Sequence, residues 1–568
     1  MSEKHFDAVV VGSGFGGSVM AYRLAEAGLS VCLLERGKAY PPGSFPRSPY
    51  RMKNNFWAPS EGLYGMYNIW SFKGINAVVS SGLGGGSLIY ANVLLRKDEK
   101  WFVKEDIHNG GYEYWPITRA DLDPHYDRVE EMMNAQYYPF DQPPYNKTSK
   151  TIAFQKAAEQ LQMNWFLPKL AVTFGNKGEA PMTGEPIGEE YPNIHGRTRY
   201  TCRLSGECDI GCNYGSKNTL DYTYLSAAKR WEAEIWTCCE VRSFEPTDGG
   251  RGYTIHYVQY DPEKEGQKLA TYDPSVLSTQ TISADRLILS AGTFGSTFLL
   301  LNNQSNFPGI SKLLGTRFSG NGDLINFAIR CSDSISGKRE PRIIDAGYGP
   351  VITSSICISY RDGDEERGFY IQDGGYPEFM NWMLQTFDLP SVINRALHVA
   401  IRLVEEWLRR DLETDVSGYI SSMFGTCELS SDSLPLLGMG RDIPNGRMTV
   451  QDGRLYLDWT KKKSGAYFDR LREKMEAISD TLGATFLDNP LWYFSRVITA
   501  HPLGGCPMGR DITEGVVNAY GEVFNYPDFY IVDGSIMPGP VGANPSLTIA
   551  ALAERFADRI IEKRGAQT

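Results

Sequence analysis

A chain of 568 residues, 42% apolar and 22% charged, is too long for one hydrophobic core and reads as an ordinary globular protein of two or more lobes. A net charge of −11 without any basic cluster excludes nucleic acid as a partner. No run of about 18 apolar residues is present to span a membrane, and with no signal segment ahead of the first strand a cytoplasmic protein with free thiols is expected.

The first segment, "FDAVVVGSGFGGSVMAYRLAEAGLSVCLLERG", reads as strand, glycine-rich turn, helix and second strand ending in an acid. Gly12, Gly14 and Gly17 keep the G-x-G-x-x-G spacing, which gives a tight turn, close backbone approach to a pyrophosphate, and tight helix–strand packing. The helix that starts at Phe15 and Gly16 turns its free N–H groups toward phosphate charge. Glu35 follows about 20 residues on, where a carboxylate accepts from ribose hydroxyls. The segment predicts a dinucleotide and leaves NAD and FAD both open.

The next stretch, "SSGLGGGSLIYANVLLR", sets Gly84–Gly86 before Ser87. Three bare residues make a strip of backbone that can lie against a flat ring or a pyrophosphate. Polar loops are expected at 176–192 and 262–283. Between them, "TCRLSGECDIGCNYGSKNTL" carries Cys202, Cys208 and Cys212, with Ser205 where an iron–sulfur motif would have its second cysteine. No histidine completes a zinc site. No metal is expected, and the thiols are read as packed in a loop before a helix at Lys217. "EIWTCCEVRSFEP", "YTIHYVQYD" and "DRLILSAG" have the β-branched and aromatic content of strands.

In the middle, Phe379, Trp382, Met383 and Phe387 precede an amphipathic run ending in charges. This is either an apolar lid able to touch a membrane surface or ordinary helical packing. Near the end, "TAHPLGGCPMGRD" places His501, one of seven histidines, before a proline and two glycines. The other six lack any metal-ligand spacing. The closing "NPSLTIAALAERFADRIIEKR" is a helix opening at Pro545, with Asn544 just ahead of it.

Taken in order, "VVGSGFGGSVMAYRLAEAG…LLERG", "GLGGGSLIYANVLL", "RLILSAGTFGSTFLLL", "HPLGGCPMG" and "FYIVDGSIMPGPVGANPSLTIAALAER" resemble the glucose–methanol–choline oxidoreductases, and within them the bacterial cholesterol oxidases with non-covalent FAD. The resemblance implies an α/β fold (α+β overall): a Rossmann-like FAD-binding domain with a β-meander, and a substrate-binding domain built on an antiparallel sheet with covering helices. The first would comprise 1–50, 78–105, 195–304 and 490–568; the second, with its lid, 51–77, 106–194 and 305–489. It implies FAD rather than NAD, with Phe15, Gly16 and Glu35 at the adenosine and pyrophosphate half and Val241 near the adenine. Gly86, Ser87, Tyr90, Ala91, Asn92 and Val93 would follow the flavin, and Asp533, Gly534, Pro545 and Ser546 its ribityl and pyrimidine end. Where similar sterol oxidases have "SLVNGG", this chain has "SLIYAN", so Tyr90 replaces an asparagine.

The resemblance also makes His501 and Asn544 the pair facing the reactive flavin nitrogen. Imidazole, with an unperturbed pKa of roughly 6.5, exchanges a hydroxyl proton near neutral pH. The positive end of the C-terminal helix would favour a flavin that accepts hydride. The implied reaction is oxidation of a bulky hydrophobic alcohol, a 3β-hydroxysteroid such as cholesterol, with oxygen as acceptor. Three alternatives stand beside it: a long-chain fatty alcohol oxidase, a steroid dehydrogenase with another acceptor, and a non-catalytic flavin or lipid carrier. Some sterol oxidases also isomerise the ketone with a pocket carboxylate. "GFYIQDGGYPEF" offers Gln372, which cannot serve, beside Asp373 and Glu378, which could.

Overall fold

In the first strand, His5–Val11, Ala8, Val9 and Val10 have no exposed surface, which suits an interior strand of a parallel sheet covered on both faces. The computed structural model describes residues 4–247, 249, 251–266, 277–335, 338–359, 367–377, 401 and 431–565. In it, five parallel strands lie in the order Glu234–Trp236, Val31–Leu34, His5–Val11, Gln280–Leu289, Phe529–Ile531. Gln280–Leu289 is long enough to serve two neighbours on one edge. Its last residues pair with Phe529–Ile531, while its first pair antiparallel with Tyr253–Gln259, which in turn pairs with Cys239–Pro246. These last two strands and the start of the third form the expected meander. Helix Phe15–Glu26 and the C-terminal helix Ser546–Gly565 pack together on this sheet, and Arg23 spans them to Glu554 and Asp558.

The second large sheet is antiparallel, in the order Thr485–Asp488, Leu324–Ile329, Leu434–Gly440, Phe369–Asp373, Ser355–Ile358, Asn164–Phe166. Helix Gly465–Thr481 covers one face with Leu471, Met475 and Ile478, all fully buried. Cross-strand pairing sets Phe166, Ser355, Gln372, Leu437 and Ile325 abreast in one row. A smaller sheet joins Val497–Thr499 in parallel to Ile75–Ser80, which pairs antiparallel with Tyr67–Phe72.

The expected combination of a Rossmann-like sheet and an antiparallel sheet is the fold observed. One local expectation fails: no helix starts at Lys217. The helix runs Tyr224–Arg230, and Lys217 is held in extended backbone by a bridge to Val172 while its ammonium donates to the carbonyls of Leu88 and Cys208. No helix among the described residues is long and apolar enough to cross a membrane. The run carrying Phe379, Trp382, Met383 and Phe387 lies outside the described residues, as does Glu378.

Candidate active site

The glycine fingerprint is fixed by sterics. A Cβ on Gly12 would sit 2.3 Å from the Ser290 carbonyl oxygen, one on Gly16 1.6 Å from that of Val532, and one on Gly17 2.0 Å from that of Gly12. The turn is therefore wedged between the exits of three parallel strands. At Gly14 and Gly86, by contrast, a Cβ would meet nothing within 4 Å. Both line a cavity of about 1030 Å³ that runs from this turn to the antiparallel sheet.

At one end of the cavity stand Gly12, Gly14, Phe15, Gly16 and Glu35, with Val241 of the meander beside them. Helix Phe15–Glu26 starts at Gly14 with no side chain capping it, so its first N–H groups are free for an anion. Glu35 is buried; one oxygen accepts from the Ser13 hydroxyl at 2.6 Å and the other from the Gly37 N–H at 2.8 Å. Gly86, Tyr90, Ala91 and Val93 also line the wall, with Tyr90 edge-on to Phe15 and its hydroxyl on the Asn218 carbonyl. Asp533, Gly534, Pro545 and Ser546 line it as well. Burial pushes the Asp533 carboxyl up, partly offset by donors from Gly292, Ser296 and Ser535. Among the described residues the buried Ser546 hydroxyl has no hydrogen-bond partner. Bare glycine walls, an uncapped helix start and an orphaned hydroxyl in one elongated cavity fit an extended dinucleotide cofactor.

Three residues expected at the cofactor lie behind the cavity wall. Gly17 serves helix–strand packing. The Ser87 hydroxyl donates to the Gly84 carbonyl and accepts the Leu220 N–H. Asn92 is fully buried in left-handed backbone with its amide against Cys208.

His501 and Asn544 both line the cavity where the two sheets meet. His501 Nδ1 lies 2.9 Å from each oxygen of Asp323, a contact the sequence reading missed. A carboxylate only accepts, so in the neutral ring the proton sits on Nδ1 and the lone pair on Nε2. Asp323 is 2% exposed and is further held by the Ala500 N–H at 2.9 Å and the Thr499 hydroxyl at 2.9 Å. Two residues earlier, Asn321 accepts the Gly542 N–H at 2.8 Å and donates to the Ala543 carbonyl at 3.0 Å, fixing the loop that ends in Asn544. One turn, Gly320–Asp323, thus anchors both candidates. Behind it the carboxyl of Asp442 takes the Ser319 hydroxyl and the Gly320 N–H, and burial pushes it up to about 7. The signal in sequence is a lone acid after "SGNG", opening the strand "LINFAI".

The antiparallel sheet supplies an apolar floor, with Ile325, Phe327, Pro435 and Leu437 lining the cavity. Gln372 stands in that row with no exposed surface, its amide turned onto Asn544. Asp373 points to the opposite face, where it accepts from the Thr353 and Ser354 N–H groups at 3.0 and 2.7 Å and from the Thr353 and Thr151 hydroxyls, with Lys150 at 3.5 Å. Its lone pairs are spent on the fold, and it does not reach the cavity as an isomerisation base would. A further cavity carboxyl, Asp209, is pushed up to about 6 by burial. The thiols of Cys202 and Cys208 are buried and pushed up, while burial brings the Lys217 ammonium down to about 8. Among the described residues no group of three or more His, Cys, Asp or Glu side chains converges as a metal site would.

Comparison with known proteins adds a second line. The family model described as GMC oxidoreductase matches residues 461–553, and that described as NAD(P)-binding Rossmann-like domain matches residues 10–43. The chain is 28% identical to a cholesterol oxidase of Mycobacterium tuberculosis over 97% of its own length and 90% of that protein's. It is 27% identical to a cholesterol oxidase of Acinetobacter baumannii, covering 98% and 95%. A long-chain-alcohol oxidase of Arabidopsis thaliana is 23% identical, covering 98% of this chain and 67% of that one.

Proposed function

This chain belongs to the GMC oxidoreductases, FAD-dependent enzymes that act on CH–OH groups, and we propose that its substrate is a bulky hydrophobic alcohol, a 3β-hydroxysteroid such as cholesterol, oxidised to the ketone with oxygen as final acceptor. The observation that carries the reading is the Asp323–His501 pair beside Asn544 above an apolar floor. The two cholesterol oxidase relatives support the steroid over other alcohols.

Gly14–Gly16 would take the pyrophosphate of FAD, Glu35 a ribose, and Val241 the adenine. Gly86, Tyr90, Ala91 and Val93 would flank the ring system, and Asp533, Gly534, Pro545 and Ser546 its far end, all without a covalent bond. Segments 1–50, 78–105, 195–304 and 490–568 would form the cofactor-binding domain, and the rest the substrate domain. FAD, when bound, supplies the acceptor of the hydride. His501 Nε2 takes the hydroxyl proton, and the imidazolium so formed is stabilised by Asp323 through Nδ1–H. Base assistance of this kind is worth ~10²–10⁴-fold. Asn544 offers an N–H to the substrate oxygen as it becomes a carbonyl. Ile325, Phe327, Pro435 and Leu437 exclude water and receive the hydrocarbon body.

The test is anaerobic addition of cholesterol to the purified holoprotein while the flavin spectrum is recorded, followed by air. Bleaching and recovery support steroid oxidation with oxygen as acceptor; bleaching without recovery removes oxygen. An unchanged spectrum removes the steroid. The second reading, a long-chain primary alcohol, draws on the Arabidopsis relative, and 1-dodecanol in the same cell tests it. Acid precipitation that leaves the flavin in solution supports non-covalent binding.

A further inference from the structure

The polar edge that Asn544 turns to the cavity is set by Gln372. Gln372 Nε2 donates to Asn544 Oδ1 at 3.0 Å, and Asn544 Nδ2 returns a longer contact to Gln372 Oε1 at 3.4 Å. Ser355, the cross-strand neighbour, lies 3.5 Å from the same Nε2. The amide oxygen of Asn544 is thereby committed to the protein, and its second N–H is left for the cavity. This matters because an amide has two faces of opposite sign: the N–H stabilises an oxygen gaining negative charge, while the carbonyl oxygen repels it. In its row Gln372 stands between Ser355 and the apolar Leu437 and Ile325. It is fully buried and absent from the cavity wall, so its amide answers to Asn544 and not to a ligand.

We propose that Gln372 is a positioning residue: by donating to Asn544 Oδ1 it locks the Asn544 amide with its N–H toward the substrate oxygen. The proposal rests on the reading that Asn544 faces the reacting oxygen. It requires a donor at position 372, and a carboxylate there cannot donate. In Gln372→Glu the ionised side chain would draw Asn544 Nδ2 to itself and swing Oδ1 into the cavity. Once protonated, the introduced carboxyl can donate again and restore the native edge. Burial raises the pKa of such a carboxyl toward the neutral range. Among the described residues the ionisable groups on the elements it adjoins are Asp323 and His501, which line the same cavity as Asn544, and Asp373 with Lys150 on the opposite sheet face.

Two readouts test this in the holoprotein across pH 5.5–8.5. One is the rate of anaerobic flavin reduction. The other is equilibrium binding of 5α-cholestan-3-one, followed by intrinsic fluorescence; a ketone can only accept, so its affinity reports whether a donor faces it. Dodecanal replaces it where the wild-type protein ignores the steroid. In Gln372→Glu both quantities should fall about tenfold or more relative to wild type at high pH, the weight of one buried hydrogen bond turned from attraction to repulsion, and the ratio to wild type should recover as pH falls. Gln372→Leu, close in volume but unable to donate at any pH, should be impaired by a pH-independent factor. A Gln372→Glu ratio that is flat with pH, or a variant that matches wild type at high pH, overturns the proposal. Asn544→Ala separates the two levels: if it leaves flavin reduction intact, the reading of Asn544 fails; if it abolishes reduction while Gln372→Glu is indifferent to pH, only the positioning role fails.

Discussion

At the scale of single residues, the sequence marks His501 only through the resemblance that pairs it with Asn544, since a histidine before Pro502 and two glycines is by itself an ordinary turn. Its partner is not marked at all. Asp323 is 178 positions away in sequence and has no spacing rule that ties it to His501. Asn321 was hidden for the same reason, although its bonds to Gly542 and Ala543 fix the loop bearing Asn544. The charge on Asp323 fixes the tautomer as well as the position. In Asp323→Asn the amide N–H can donate to Nδ1, which moves the ring proton to Nε2 and removes the acceptor. Stopped-flow measurement should give flavin reduction slower by roughly 10²-fold or more, with flavin content unchanged. A variant within a factor of two of wild type would remove Asp323 from the mechanism.

Secondary-structure elements were legible where a local pattern suffices. The first strand–turn–helix and the meander strands carry their own periodicity and turn residues. The six-stranded sheet was not read strand by strand, because its strands are three to seven residues long and take their register from partners up to about 190 positions away. The glycine turn shows what finer reading the structure permits. Gly14 has φ −69° and open space where a Cβ would stand, so Gly14→Ala should leave stability within about 1 kcal/mol of wild type. It should nonetheless lower flavin content, since that Cβ enters the cavity. Gly16→Ala drives a Cβ into the Val532 carbonyl and should cost more than the ~1–3 kcal/mol usual for overpacking. Soluble yield, circular dichroism and the flavin-to-protein absorbance ratio distinguish the two. Equal behaviour of both variants would contradict the steric assignment.

On the scale of the whole molecule, stability and the site share one buried acid. Asp442 rises from 3.8 toward about 7 on folding because burial penalises its charge. Between those values the native state holds a proton that the unfolded chain has lost. Its contribution is therefore complete below about pH 4 and is lost as pH rises through 7, at a slope of up to about 1.4 kcal/mol per pH unit. In Asp442→Asn this component disappears. The melting temperature should fall less between pH 5 and pH 8 than it does in wild type, and an equal fall in both proteins would deny Asp442 that role.

The small parallel ladder that pairs Ile498 with Asn76 and Thr499 with Ala77 has a mechanical meaning. Both strands leave at the same end, one into His501 and the other toward Gly84–Gly86, so the spacing between the imidazole and the glycine strip is a matter of hydrogen-bond register. Asp323, however, arrives from the antiparallel sheet. The imidazole proposed as base is thus carried by the small three-stranded sheet, and the carboxylate that holds it by the antiparallel one. If these separate, the imidazole keeps its place but loses the anchor that holds its proton on Nδ1, and readiness for chemistry becomes a report on whether the two sheets are seated.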